Sequence, residues 1–138
     1  MLRLMAFALI LSFGCRGTEA AAAGVMKIAV TSPSLYEVAS FIGGRQAQVR
    51  ALSVWNEAGN TVATGRPRAG ERVIAFDPED AARLKIGAQN KNLRLLYQKR
   101  PMSEAKMRAA FFDPAMLPFI AQEIMKIMAA ADQRNYSY

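Results

Sequence analysis

Val25-Met26-Lys27-Ile28-Ala29-Val30-Thr31, then Ser32-Pro33-Ser34-Leu35-Tyr36-Glu37-Val38, then Ile42-Gly43-Gly44 is the stretch whose reading decides the fold. The first seven residues are apolar and β-branched enough for a buried strand. Ser32-Pro33 then opens a helix, because a hydroxyl can accept the first free N–H groups and proline has no helical bond to lose at the start. Ser34 with Glu37 also matches a capping box, so the first helical residue has two readings. Leu35, Val38, Ala39 and Ile42 form the apolar face, and Gly43-Gly44 stops the helix. Gln48 to Trp55 reads as a second strand. Strand, helix and strand at this length suit a right-handed parallel crossover.

Working outward, Asn56 to Gly70 is rich in glycine, proline and polar residues and reads as a long loop of the functional or mobile kind. Arg72 to Phe76 predicts a third strand. Asp77-Pro78 opens a helix with Ala81, Ala82 and Leu84 inward and Gly87 as its stop. Asn92 to Tyr97 predicts a fourth strand, broken by Pro101, and Ser103 caps a helix towards Phe112. A last helix is expected from Asp113-Pro114, with Leu117, Ile120, Ile124, Ile127 and Ala131 as one apolar stripe. Pro118 places a kink, or a later start near Leu117, within that reading. The sum is an α/β domain with a small, mainly parallel sheet flanked by helices.

Residues 1–23 read as a secretory signal: Arg3, an apolar run from Leu4 to Phe13 too short to span a bilayer, then Ala20-Ala21-Ala22-Ala23. A single domain at 24–138 follows, exported to a periplasmic or extracytoplasmic space, with a mature N-terminus expected between Ala21 and Val25. Leu11-Ser12-Phe13-Gly14-Cys15 offers the alternative of a lipoprotein box, and only lipidation at Cys15 would bring a membrane surface into contact. The formal charge of +7 becomes +6 once Arg3, Arg16 and Glu19 leave with the signal. The excess gathers between Arg83 and Arg108. A nucleic-acid partner is not expected, since an exported protein meets little nucleic acid and Tyr97 is the one aromatic in the cluster.

The chain has no histidine, which excludes Ser-His-Asp and Cys-His nucleophiles and the imidazoles of ordinary zinc sites. Any metal would be held by oxygens, and Glu57 and Asp77 are the candidates. Asp77, Glu79 and Asp80 read first as capping carboxylates at a helix start. In an open α/β sheet, ligands bind beyond the carboxyl ends of the strands. Here that edge carries Ser32, Ser34, Trp55 and Asn56 as the ligand cleft, with Trp55 either a lid over it or a plug on the core. No nucleophile and base pair emerges, so an enzyme is not expected.

Lys27 to Val38 with Ile42-Gly43-Gly44 resembles the opening of the metal-binding solute-binding proteins of bacterial ABC transporters, the zinc/manganese type. Phe112-Asp113-Pro114, Leu117 to Ala121, and Ala130-Ala131-Asp132 with Asn135-Tyr136 are similar to a later part of the same family. There an aspartate-proline opens a helix that closes on an Asp-Pro-x-Asn segment leading to a tyrosine. The resemblance implies one lobe of a periplasmic solute-binding protein, zinc or manganese as the metal, and an ABC transporter permease as partner. The family's histidine ligands fall where this chain has Trp55-Asn56-Glu57-Ala58 and Ala109, so the metal site is expected to be degenerate. The alternatives are a small exported interaction module using the basic face of Arg94, Lys99, Arg100 and Arg108, and a periplasmic enzyme acting through Asp77, Glu79 and Asp80.

Overall fold

The computed structural model describes residues 24–98 and 103–136. The expected signal, Cys15, Lys99, Arg100 and Pro101 lie outside the described residues. The elements are β1 (Met26–Val30), α1 (Pro33–Gly43), β2 (Ala47–Ala51), β3 (Ser53–Trp55), β4 (Thr61–Ala63), β5 (Arg72–Ala75), α2 (Pro78–Arg83), β6 (Leu93–Leu95), α3 (Glu104–Phe112) and α4 (Leu117–Ala129). The protein is α/β, with a four-stranded parallel sheet in the order β2-β1-β5-β6 and a separate antiparallel pair, β3-β4.

The order follows from two crossovers stepping in opposite directions from the middle of the sheet. The first leads from β1 through α1 to β2 on one side, and the second from β5 through α2 to β6 on the other. With a common hand, opposite steps put the two helices on opposite faces. Two cores result. Ile28, Val30, Ile74 and Phe76 pack with Leu35 and Ala39 of α1, Met107 of α3, and Ile120, Ile124 and Met128 of α4. Ala29, Val73 and Ala75 pack on the other face with Leu52, Ala81 and Ile86. Ile28, Ala29 and Val30 are all fully buried, as expected for a parallel strand covered on both faces.

Ser32, not Ser34, is the N-cap of α1, its Oγ accepting from Leu35 N at 3.3 Å. At the other end, a Cβ on Gly43 would lie 2.7 Å from the Ala47 Cβ, and Gly44 has φ +50°. The Gly-Gly pair therefore permits both a close helix–strand approach and a left-handed exit.

Several expected boundaries are corrected. The second strand divides at Leu52, which is fully buried and continues to hold the sheet through its N–H to Val30 O at 2.8 Å. Beyond it the chain leaves β1 and forms a hairpin, so the expected loop from Asn56 to Gly70 contains β4. The turn is stabilised locally: Asn60 N donates to Asn56 Oδ1 at 2.8 Å, and Gly59 takes φ +74°. Helix α2 ends at Arg83, with Lys85 at φ 57° in the left-handed region, before Gly87 is reached; Ala82 faces solvent. Asp113-Pro114 forms a turn, with Ala115 N donating to Asp113 Oδ1 at 2.8 Å, and α4 begins at Leu117 with Pro118 in its first turn. The buried stripe of α4 is Ile120, Ile124 and Met128; Ala131 lies past the helix end.

Candidate functional site

Where the two crossovers diverge, between β1 and β5, the strand ends leave the crevice at which open α/β sheets bind ligands. In this chain it is built from Thr31-Ser32 and Phe76-Asp77, and polar side chains fill it. Thr31, Ser32, Ser53, Asp77 and Asp80 are all 0–3% exposed. Buried polar groups must find partners, and these find each other. Asp80 is the hub. Its Oδ2 accepts from the Thr31 hydroxyl and, at 3.0 Å, from Phe76 N, while Oδ1 accepts from the Arg83 guanidinium at 3.1 Å. Asp77 Oδ1 accepts Asp80 N at 2.8 Å as the N-cap of α2, and Ser53 Oγ donates to Thr31 O at 2.6 Å. Phe76, which packs in the core beneath α1 and α4, meets Phe111 with ring centroids 5.8 Å apart, and Arg83 also reaches Met107 Sδ at 3.8 Å.

The hairpin is drawn over the same edge by α3. Glu104 Oε1 accepts from Thr61 N at 3.1 Å and Thr61 Oγ1 at 2.7 Å, which, led by the hydroxyl bond, holds the Glu104 pKa below the usual value. One turn later Arg108 donates to Gly59 O. The far end of the long connection is fixed by a fork: Arg50 Nε and Nη2 donate to Glu71 at 2.8 and 2.7 Å, and Arg68 N donates to Glu71 Oε2 at 2.7 Å. Bidentate Arg–carboxylate pairs are among the strongest protein hydrogen bonds. Arg50 accordingly holds the Glu71 pKa below its ordinary value.

The sequence candidates thus separate. Ser32 and Asp77 belong to the closed crevice, both serving as helix caps. Ser34 lies on the first turn of α1. Trp55 is 46% exposed, so it does not plug the core; with Pro33, Tyr36, Glu37 and Val54 it walls an open groove of about 520 Å³ on the flank of the sheet. Asn56 and Glu57 sit exposed on the hairpin turn. Glu57 is therefore a solvent-facing carboxylate and Asp77 an inward one, and among the described residues no three Asp, Glu, Cys or His side chains are grouped to hold a metal ion. Three described arginines of the basic run have separate partners. Arg83 serves Asp80, Arg108 serves Gly59, and Arg94 donates to the carbonyls of Lys91 and Leu93, both at 2.8 Å.

Sequence reasoning missed Asp80 as a buried hub and the Arg50–Glu71 fork. The first had a signal: a carboxylate three residues after an aspartate N-cap can face the cap and the strand end before it. The second had none, since 21 residues separate Arg50 from Glu71. Comparison with protein-family models, with curated proteins and with solved structures finds no match to this chain.

Proposed function

We propose that the chain is an exported solute-binding-type component of a metal-ion ABC transport system, non-enzymatic, with its own metal site degenerate. The observation that carries this reading is a contact between the two stretches in which the chain resembles that family. Tyr136 Oη donates to Gly43 O at 2.9 Å across 93 residues, joining the Asp132–Tyr136 segment to the Ile42-Gly43-Gly44 segment. Asp132 forms the turn that delivers the tyrosine, accepting from Asn135 Nδ2 at 2.6 Å. Between these ends α1 packs beside α4, with the Met128 Cε 3.6 Å from where a Gly43 Cβ would stand. Two segments with separate family resemblance thus meet in one structural unit.

The closed crevice supports the degenerate-site part of the reading. Its oxygens are committed to caps and to the Asp80 hub, and oxygen donors without imidazole or thiolate suit zinc poorly. The test has two arms. Photo-crosslinking from position 57, on the exposed hairpin turn, in metal-limited cells should recover an ABC permease subunit; recovering no transporter component rejects the transport assignment. Chelator-treated protein should unfold at the same temperature with and without micromolar zinc or manganese, because ligand far below its dissociation constant adds nothing to stability. A rise of several degrees that Glu57→Ala abolishes would show a working site.

A further inference from the structure

We propose that two copies of this chain pair through the groove between α1 and α4, with Phe41 of each copy entering the groove of the other. Phe41 is 89% exposed, the largest exposure of any large apolar side chain among the described residues. It stands at the rim of a cavity of about 680 Å³ whose other lining includes Val38, Ile42, Leu117, Ala121 and Met125. Glu37 is the one charged residue there, and it continues into the neighbouring groove of Tyr36, Val54 and Trp55. Six of the ten large apolar residues exposed among the described residues line these two joined grooves. The exposed apolar surface is therefore concentrated around these two grooves, which meet at Glu37.

The size of the face fits a second copy. With aromatic side chains offering about 150–250 Å² each, Tyr36, Phe41 and Trp55 at their observed exposures present on the order of 350 Å², to which Val54, Leu117 and Met125 add. A standard interface buries about 800 Å² per partner, of which about 500 Å² is apolar. Shape selects the symmetry. The patch carries a projecting phenyl ring beside its own apolar hollow, and a two-fold axis satisfies both features at once, since each ring fills the other copy's hollow. Charge does not oppose the pairing despite the basic chain. The groove beside Phe41 contains no lysine or arginine, and Arg50, which lines the adjoining groove, is bound by Glu71.

The experiment is sedimentation equilibrium on the naturally processed protein, with Phe41→Glu and Phe112→Glu as variants. Phe112 is 81% exposed and lies outside both grooves, so it reports the effect of a surface charge alone. The wild type and Phe112→Glu should sediment as dimers, and Phe41→Glu should dimerise at least about thirtyfold more weakly, as loss of a central interface residue does. Circular dichroism should show Phe41→Glu folded. A photoreactive residue at position 41 should crosslink to residues 117–125 of another copy. A monomeric wild type up to about 100 μM, a dissociation constant too weak for an interface of this size, overturns the proposal. So does a Phe41→Glu dimer as tight as the parent, or attachment of monomers to lipid vesicles through this face.

Discussion

At the carboxyl edge of the sheet, Thr31, Ser32, Asp77 and Asp80 are polar and at most 3% exposed; between α1 and α4, Phe41, Leu117 and Met125 are apolar and 38–89% exposed. The two recesses reverse the usual distribution. In the crevice between β1 and β5, where this topology ordinarily leaves polar groups for a ligand, the donors and acceptors are consumed internally. Burying a carboxylate without partners would cost several kcal/mol, so the Asp80 network is a condition of folding. On the α1–α4 face nothing in the fold requires Phe41 to be apolar. The contrast separates groups that hold the chain together from groups available to a partner, and it places the available ones on a helix flank away from the strand ends.

The largest expected effect breaks the crevice. Asp80→Ala would strand the Phe76 N–H in a buried site, leave the Thr31 hydroxyl only the long contact to Ile74 O at 3.4 Å, and release Arg83, at a cost of about 3–5 kcal/mol in denaturant unfolding. A loss below about 1 kcal/mol, the scale of one ordinary hydrogen bond, would mean that water replaces the carboxylate and the crevice is open. Next is Ile124→Ala, on the inner side of the helix whose outer side forms the groove. Ile124 is fully buried against the sheet, so about 2–5 kcal/mol is expected. Surface-like behaviour, within about 0.5 kcal/mol of the parent, would remove the distinction between the two sides of α4.

The same contrast explains what was legible in the sequence. Ser32-Pro33 and Asp77-Pro78 were readable because an N-cap and proline are local signals, each followed by its own helix. Asp113-Pro114 carries the same signal, but Pro118 lacks the N–H a longer helix would use, so the helix yields to a turn and restarts at Leu117. The parallel α/β class followed from the first crossover. The hairpin was hidden because Thr61, Val62 and Ala63 are too few to show alternation, and their pairing with Ser53, Val54 and Trp55 depends on α3. Of the candidate cleft, residue types at the strand ends were identifiable. Their burial was not, because Thr31 meets Asp80 and Ser53 only when segments 49 and 22 residues apart are brought together.

A pH series sharpens the contrast at the fork that holds the connection beside the crevice. The folded-state pKa of Glu71 lies below the ordinary 4.5, chiefly through the Arg50 hydrogen bond. The folded state therefore favours the ionised carboxylate. Its contribution is present above about pH 4.5, the unfolded value, and is lost as pH falls through the lower folded value. Glu71→Gln should cost about 1–3 kcal/mol near neutrality, as loss of charged hydrogen bonds does, and should show a shallower acid decline than the parent. Identical acid limbs in urea titrations at several pH values would exclude Glu71 as a source of that decline.

The smallest expected effect concerns the junction at the ends of α1 and α4. Burial, with Asp132 nearby, pushes the Tyr136 pKa above its ordinary value, so its hydroxyl stays a donor through the neutral range. Tyr136→Phe removes that donor and keeps the ring. The Gly43 carbonyl it leaves is not orphaned, because Gln46 N still donates to it at 3.0 Å. Only the net value of one partly buried hydrogen bond should be lost, about 0.5–1.5 kcal/mol, with no change in the far-ultraviolet spectrum. Hydrogen exchange gives the finer test: protection should fall at Tyr136 N, which donates to Asp132 O at 3.2 Å, and persist at Ile124. Loss of protection along the whole of α4 would show that the tyrosine holds the helix in place, and that the groove beside Phe41 depends on it.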